Sequence, residues 1–423
     1  MLSTTRRILL STAAAAVAWG LGINLGINAA AAAGDTIKVG VLATLEGAFT
    51  VLGEDSMRGA DLAFKQHNMM AGGKKIEIVK GSSDASPDSA IAAARKLVEQ
   101  DKVDVLIGPL SGSEGLAVKD YAKTQPQVTF INGTSAAQDT TLRDPAPNFF
   151  RFTTDGVQWQ AGLGEYTFKE KGYKKMVVVA EDYSFPYSQV MGFMLPYCQL
   201  GGHVVDKFWV PIGNKDFSSI VASIPDDIDA VYVALGGADA VNFLSQYQQA
   251  GGDKPMVGGS ITVDQTVLGS EGKRKDYMLG TPSAGPIADS WDNAAWKKFV
   301  DDYKAEYPKG FPSPSLFAHG YYVETVALLT ALDKVNGDLS DNQAKLRETL
   351  ASLDLDTPTG KVKLDKNRNG VADIFLTEVA EGSDGKLYNK VVKVIPQVNQ
   401  TMGMDEAKFM ALGPVSRDNP DCK

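Results

Sequence analysis

Val103-Asp104-Val105-Leu106-Ile107-Gly108-Pro109-Leu110-Ser111-Gly112-Ser113 is a β-branched run that ends in a Gly-Pro turn and opens into small hydroxyl residues. A short apolar run of this kind fits a strand of a parallel sheet, buried on both faces. In open α/β sheets, the segment past a strand's carboxyl end faces the crevice where ligands bind. Ser111, Gly112 and Ser113 offer hydroxyl and backbone N–H donors with no bulky side chain in the way. A helix beginning near Glu114 puts its positive end there, which favours a carboxylate or other anion. An ordinary strand-to-helix turn has the same composition, so the neighbouring segments decide the reading.

Before it, residues 37–43 and 76–79 read as strands. Residues 54–70 and the segment opened by Ser86-Pro87 carry helical spacing, with Ser86 as N-cap and Pro87 in the first turn. After it, a helix leads to the strand at 128–131 and the loop Asn132-Gly133-Thr134-Ser135. The rhythm starts again past Arg151, with strands at 176–180, 204–209, 230–235 and 256–257. Helices are expected at 160–171, after Ser188, at 217–224 and at 238–250. Longer helices follow over 291–307, 315–333 and 341–351, then a hairpin-like segment and a polar tail. Strand and helix in alternation mean parallel α/β sheets, and the restart means two units of similar, Rossmann-like build.

Residues 1–33 read as a secretory signal peptide: Arg6 and Arg7, an apolar run, then Ala31-Ala32-Ala33 before Gly34. Cleavage near Ala33-Gly34 and a periplasmic location follow as expectations. Thr5-Arg6-Arg7-Ile8-Leu9-Leu10 partly resembles a twin-arginine signal, so the export route stays open. Losing Arg6 and Arg7 takes the formal net charge from −9 to about −11, with no basic block to offset it. That argues against nucleic acid as a partner. Two Cys, Cys198 and Cys422, are too few and too far apart for a zinc site; in an exported chain they are expected to pair.

Several motifs recur in one order: Lys38-Val39-Gly40-Val41 with Gly47 and Gly53, and Ile107-Gly108-Pro109 with its Ser-rich loop. Further along come Arg151-Phe152 with Asp155 and Gln158, Glu181-Asp182-Tyr183-Ser184-Phe185, and Asp216-Phe217-Ser218. In these the mature chain resembles, over nearly its whole length, the type I periplasmic binding proteins of the branched-chain amino acid and amide uptake family. The resemblance implies two lobes joined by crossing strands, which close on a small molecule in the cleft between them. Lobe one is expected over 35–152 and 284–366, and lobe two over 153–283 and 367–423. It implies a monomer that delivers its ligand to an inner-membrane ABC permease, with no catalysis and no cofactor or metal.

Carried over residue by residue, the family's carboxylate-binding loop falls on Ser111, Gly112 and Ser113. Its second loop falls on Gly133, Thr134 and Ser135, and its closing aromatic on Phe185. The acidic residue that holds an amino acid's ammonium falls near Ser260. A neutral Ser cannot compensate a buried ammonium. The implied ligand is therefore a small carboxylate with an aromatic body, such as a benzoate or cinnamate derivative, unless Asp264 or Asp182 substitutes for the missing acid. Phe49, Tyr183 and Trp159 are candidates for an aromatic slot. Branched-chain amino acid or amide binding on the same fold is the alternative, as is a freestanding ligand-presenting sensor.

Other chemistries fit poorly. A serine hydrolase needs a base beside its nucleophile, and only His67, His203 and His319 exist. Gly112-Ser113-Glu114-Gly115 lacks the first Gly of a nucleophile elbow. No Gly-x-Gly-x-x-Gly follows the first strand. Asp365-Lys366-Asn367-Arg368-Asn369-Gly370 imitates a calcium loop, but Leu376 stands where its bidentate Glu belongs, so a polar turn is expected.

Overall fold

The computed structural model describes residues 36–270 and 275–422. The signal-peptide reading lies outside them. The strand read from 103–113 is β4 (Val105–Ile107), and it sits inside a six-stranded sheet. Its neighbours are β1 (Thr36–Thr44), β2 (Met70–Ala71), β3 (Lys74–Ser83), β5 (Thr129–Ile131) and β6 (Phe149–Phe150). The order is β2-β3-β1-β4-β5-β6, parallel throughout except where β2 folds back on β3. The three residues of β4 are buried, as a central parallel strand requires.

Helices α1 (Thr50–Gln66), α2 (Pro87–Arg95) and α3 (Gly112–Ala122) connect these strands. Ser86 caps α2 as expected, its side chain accepting the N–H of Ser89. The first helix begins at Thr50, four residues earlier than the expected 54. A single 3-10 turn over Gly47–Phe49 feeds it.

The second sheet has nine strands. Its parallel part runs through β7 (Lys175–Glu181), β8 (His203–Val210), β9 (Ala230–Ala234), β10 (Met256–Gly258) and β11 (Pro282–Gly285). The antiparallel part is β12 (Asp354–Thr357), β13 (Gly360–Leu364), β14 (Gly370–Glu381) and β15 (Leu387–Val398). Helices α4 (Leu163–Lys169), α5 (Ser184–Gln199), α6 (Ser218–Ser223), α7 (Gly237–Gln249), α8 (Gln265–Leu268) and α9 (Lys275–Met278) belong to this half. Then α10 (Ala294–Glu306), α11 (Leu316–Lys334) and α12 (Ser340–Ala351) return to the six-stranded half. There α11 packs along α1. Finally α13 (Glu406–Ala411) lies in the tail. Helix α5 starts at Ser184 rather than after Ser188, which places Phe185 in a first helical turn.

Two lobes result, and the chain crosses between them through a buried polar network. Arg151 is fully buried. Its Nε donates to Asn369 Oδ1 at 2.7 Å, and its Nη1 to the Ala137 carbonyl at 2.8 Å. Asp155 lies 3.7 Å from the guanidinium. Glu324 of α11 accepts the N–H groups of Phe152 at 2.9 Å and Thr153 at 3.0 Å. A buried charge is tolerated only when paired and hydrogen-bonded, so this network fixes where the chain crosses. The turn at Asp365 is the polar turn expected: its Oδ1 accepts the N–H groups of Asn367 and Asn369. Cys198 and Cys422 form a disulfide, with their Cα atoms 5.5 Å apart.

Candidate ligand-binding cleft

Where β4 ends, Gly108-Pro109-Leu110 turns the chain and Ser111 caps α3. The cap is a reciprocal box: Ser111 Oγ accepts the Glu114 N–H, and Glu114 Oε2 accepts the Ser111 N–H at 2.8 Å. Ser111 Oγ also donates to the Ala85 carbonyl at 3.1 Å. The Ser111 N–H, expected as a ligand donor, is thus already engaged. The donors left by helix geometry are the N–H groups of Gly112 and Ser113, in the first turn of α3.

Facing this helix end is a partly open pocket whose free volume is only about 10 Å3. Ser111, Gly112, Leu52, Leu110, Thr134 and Phe317 line it from the six-stranded lobe and α11. Trp159, Tyr183, Phe185 and Ile261 line it from the other side. Sites for drug-sized ligands run from roughly 300 to 1,000 Å3, so the side chains here nearly fill the cleft, and a ligand needs the lobes to part. Trp159 meets Phe185 edge-on at 5.4 Å, and Tyr183 lies 6.1 Å from Phe185. No Lys, Arg, His, Asp or Glu side chain is among the lining residues. A larger groove of about 790 Å3, between α4 and β15, is open to solvent and draws no residue from the six-stranded sheet.

Several expected residues sit elsewhere. Ser113 does not line the cavity; its Oγ is 3.0 Å from Ser184 Oγ, a hydroxyl contact that joins the two lobes. Gly133 packs against the Tyr321 ring, and Ser135 against Gly115. Thr134 alone of that loop reaches the cavity, and its Oγ1 is buried with no protein partner. Phe49 stands behind the wall, 6.0 Å from Tyr183. Ser260 is bound to Gln189, accepting from its Nε2 at 2.6 Å, and its neighbour Ile261 forms the wall instead.

Neither candidate substitute acid faces the cavity. Asp182 is paired with Arg417 and accepts the Tyr187 hydroxyl. Asp264 accepts the N–H groups of Thr266 and Leu316. Two other carboxyls approach the cleft from behind. Burial pushes Glu114 up and Glu181 well above its ordinary range, against backbone N–H groups that pull the other way. Both shifts weaken the charged form.

The three His and Ser113 each have other partners. Ser113 pairs with Ser184, His67 with Asp333, and His203 with the Cys422 carbonyl. His319 contacts Thr359, and burial pushes its ring down to about 3.

Leu52, Leu110, Ile261 and Phe317 were missed from the sequence. Leu110 and Ile261 adjoin residues that were named. Phe317 sits four residues after Ser313 and two after the helix cap Ser315, a start signal that places the helix but not the residue its first turn brings to the cleft.

Comparison with known proteins agrees with this geometry. A family model described as periplasmic binding protein matches residues 36–386. A Leu/Ile/Val-binding protein homolog 6 from Brucella melitensis is 27% identical over 378 residues, covering 87% of this chain and 93% of that protein. The solute-binding protein of an ABC transporter from Rhodopseudomonas palustris BisB5, in complex with 3,4-dihydroxybenzoic acid, superposes with a TM-score of 0.79 at 26% identity. The match covers 86% of this chain and 99% of that one. Another R. palustris solute-binding protein, in complex with benzoate, gives a TM-score of 0.79 at 26% identity, covering 88% and 99%.

Proposed function

The chain belongs to the periplasmic binding protein family, in its branched-chain amino acid type I branch, and from that premise we propose that it captures a small aromatic carboxylate for an ABC importer. The protein is exported by its amino-terminal leader, works as a monomer in the periplasm and passes the ligand to an inner-membrane permease. Its lobes follow residues 35–152 with 284–366, and 153–283 with 367–423.

The observation that carries the ligand class is the lining itself. Trp159, Tyr183, Phe185 and Phe317 make an apolar slot with no acidic side chain on it. Thr134 and the first turn of α3 also line it, and a carboxylate against that turn gains from N–H donors and the helix dipole. An α-ammonium buried in the same slot has no carboxylate to pair with. The benzoate-type ligands of the two R. palustris proteins support the same class. The name of the Brucella relative favours branched-chain amino acids instead, so those are the competing arm of the test.

Thermal shift followed by calorimetry compares benzoate, 4-hydroxybenzoate, 3,4-dihydroxybenzoate and cinnamate with leucine and valine. A ligand that binds only the folded state raises the melting point. The aromatic acids are expected to bind and the amino acids to fail. Tight leucine or valine binding, with every ammonium-free acid inert, overturns the reading.

A further inference from the structure

Asp264 does not line the ligand cavity but sits just behind its wall. It caps α8, with Oδ1 accepting the Thr266 N–H at 2.9 Å. Its Oδ2 accepts the Leu316 N–H at 2.8 Å. Leu316 is the first residue of α11, and α11 packs along α1 in the six-stranded lobe. The preceding Ser315 is held to α1 as well: its N–H and its hydroxyl both donate to Asp55 Oδ2. The Asp264–Leu316 bond therefore joins the two lobes. It does so beside the cavity, because Ile261 precedes Asp264 by three residues and Phe317 directly follows Leu316. Both are cavity walls, one from each lobe.

We propose that Asp264 is a positioning residue for cleft closure: by bonding the N-terminus of α11 across the lobes, its carboxyl sets the separation of Ile261 and Phe317 and hence the fit around the ligand's apolar body. The inference rests on the cleft being the ligand site, and not on which ligand it holds.

Closure has a proton attached to it. Opening the lobes removes the Leu316 N–H and the burial together, returning Asp264 toward the ordinary value of about 3.9. In the closed form burial pushes it up to about 7, with Asp55 adding repulsion and the two N–H groups opposing. The other ionisable groups on the packed elements are already engaged. Asp55 holds Arg58 and Tyr303, Asp289 holds the side chain of Gln265, and His319 is kept neutral by burial. A group whose closed-state value exceeds its open-state value takes up a proton on closing. Affinity is then greatest at low pH, falls as pH rises toward about 7, and levels off above that.

Calorimetry with benzoate from pH 5 to 8.5 reads this slope for the wild type, for Asp264→Asn and for Leu316→Pro. Asn keeps a carbonyl acceptor and cannot ionise. Pro removes the N–H, at a first-turn position where Pro is accepted and after an extended Ser315, and it also replaces the buried Leu316 side chain, so its ligand-free melting point is read alongside. The wild type is expected to lose affinity by up to about tenfold per pH unit between pH 5 and 7. D264N should be nearly flat, and L316P weaker by about tenfold at pH 5 with a reduced slope. Small-angle scattering of the ligand-free proteins reads closure without any ligand: the wild type should be more compact at pH 5.5 than at 7.5, and D264N equally compact at both. Equal pH slopes and equal compaction for wild type and D264N overturn the proposal. If benzoate fails and leucine binds, the aromatic-acid reading falls, and the same comparison run with leucine decides the role of Asp264.

Discussion

Thr134 carries the most specific polar prediction in the cleft. Its hydroxyl is buried, lines the cavity and has no protein partner, whereas the hydroxyls of Ser111 and Ser113 are engaged by Ala85 and Ser184. Replacing Thr134 by Val keeps the shape and removes the donor. A ligand carboxylate oxygen left unsatisfied in a dry site costs roughly 1–3 kcal/mol, or about one to two decades in affinity. Calorimetry of T134V should show that loss with an unchanged melting point for the ligand-free protein. Ser113→Ala should cost less, since it removes a contact between the lobes rather than one to the ligand. If S113A hurts binding more than T134V, Ser113 reaches the ligand directly.

At the scale of the element, α3 brings its first turn against α5. A Cβ added at Gly112 would stand 2.8 Å from the backbone N and the Cβ of Phe185. Neither atom can swing aside, so Gly112→Ala should hold the lobes apart. The open protein has no such clash, and Ala is a better helix former than Gly. The ligand-free melting point of G112A should therefore hold or rise slightly while benzoate affinity falls at least about tenfold. A G112A protein that binds like the wild type would show that the lobes close less far than this contact implies.

The elements also mark how much of the cleft was legible beforehand. The run ending at Ile107 and the Ser-rich turn after it announced both the buried strand and the anion-facing helix end. Their signals are local: β-branched burial, then a cap. Which donors stay free was not legible, because the Ser111 N–H is taken by Glu114 three residues on and the Ser113 hydroxyl by Ser184 of another lobe. Ile261 and Phe317 escaped for the same reason. Each becomes a wall only when two segments far apart in the chain are brought together, and periodicity carries no record of that. Cys198 and Cys422 were legible as a pair through chemistry rather than spacing.

At the scale of the molecule, the tail is a strap over both lobes. Its end is fixed by the Cys198–Cys422 disulfide, which spans a sequence separation of 224. Before that, Arg417 pairs with Asp182, just ahead of the cavity residue Tyr183. Arg143, in the segment between β5 and β6, donates to the Met410 and Gly413 carbonyls at 3.3 and 2.7 Å. Phe409 is buried beside Leu142, Val157 and Met191. Cross-linking ends this far apart restricts the unfolded chain strongly, and native disulfides of such loops contribute about 2–4 kcal/mol. No strap residue lines the cavity. Stability and binding should therefore separate: paired Cys198→Ser and Cys422→Ser substitutions should lower the melting temperature by several degrees and leave benzoate affinity within about threefold, an interval of about 0.65 kcal/mol. Calorimetric melting and titration on the same preparation test both halves. An unchanged melting temperature would mean that Arg143, Phe409 and Arg417 hold the strap without the disulfide. A large loss of affinity would mean that the strap sets how far the lobes open.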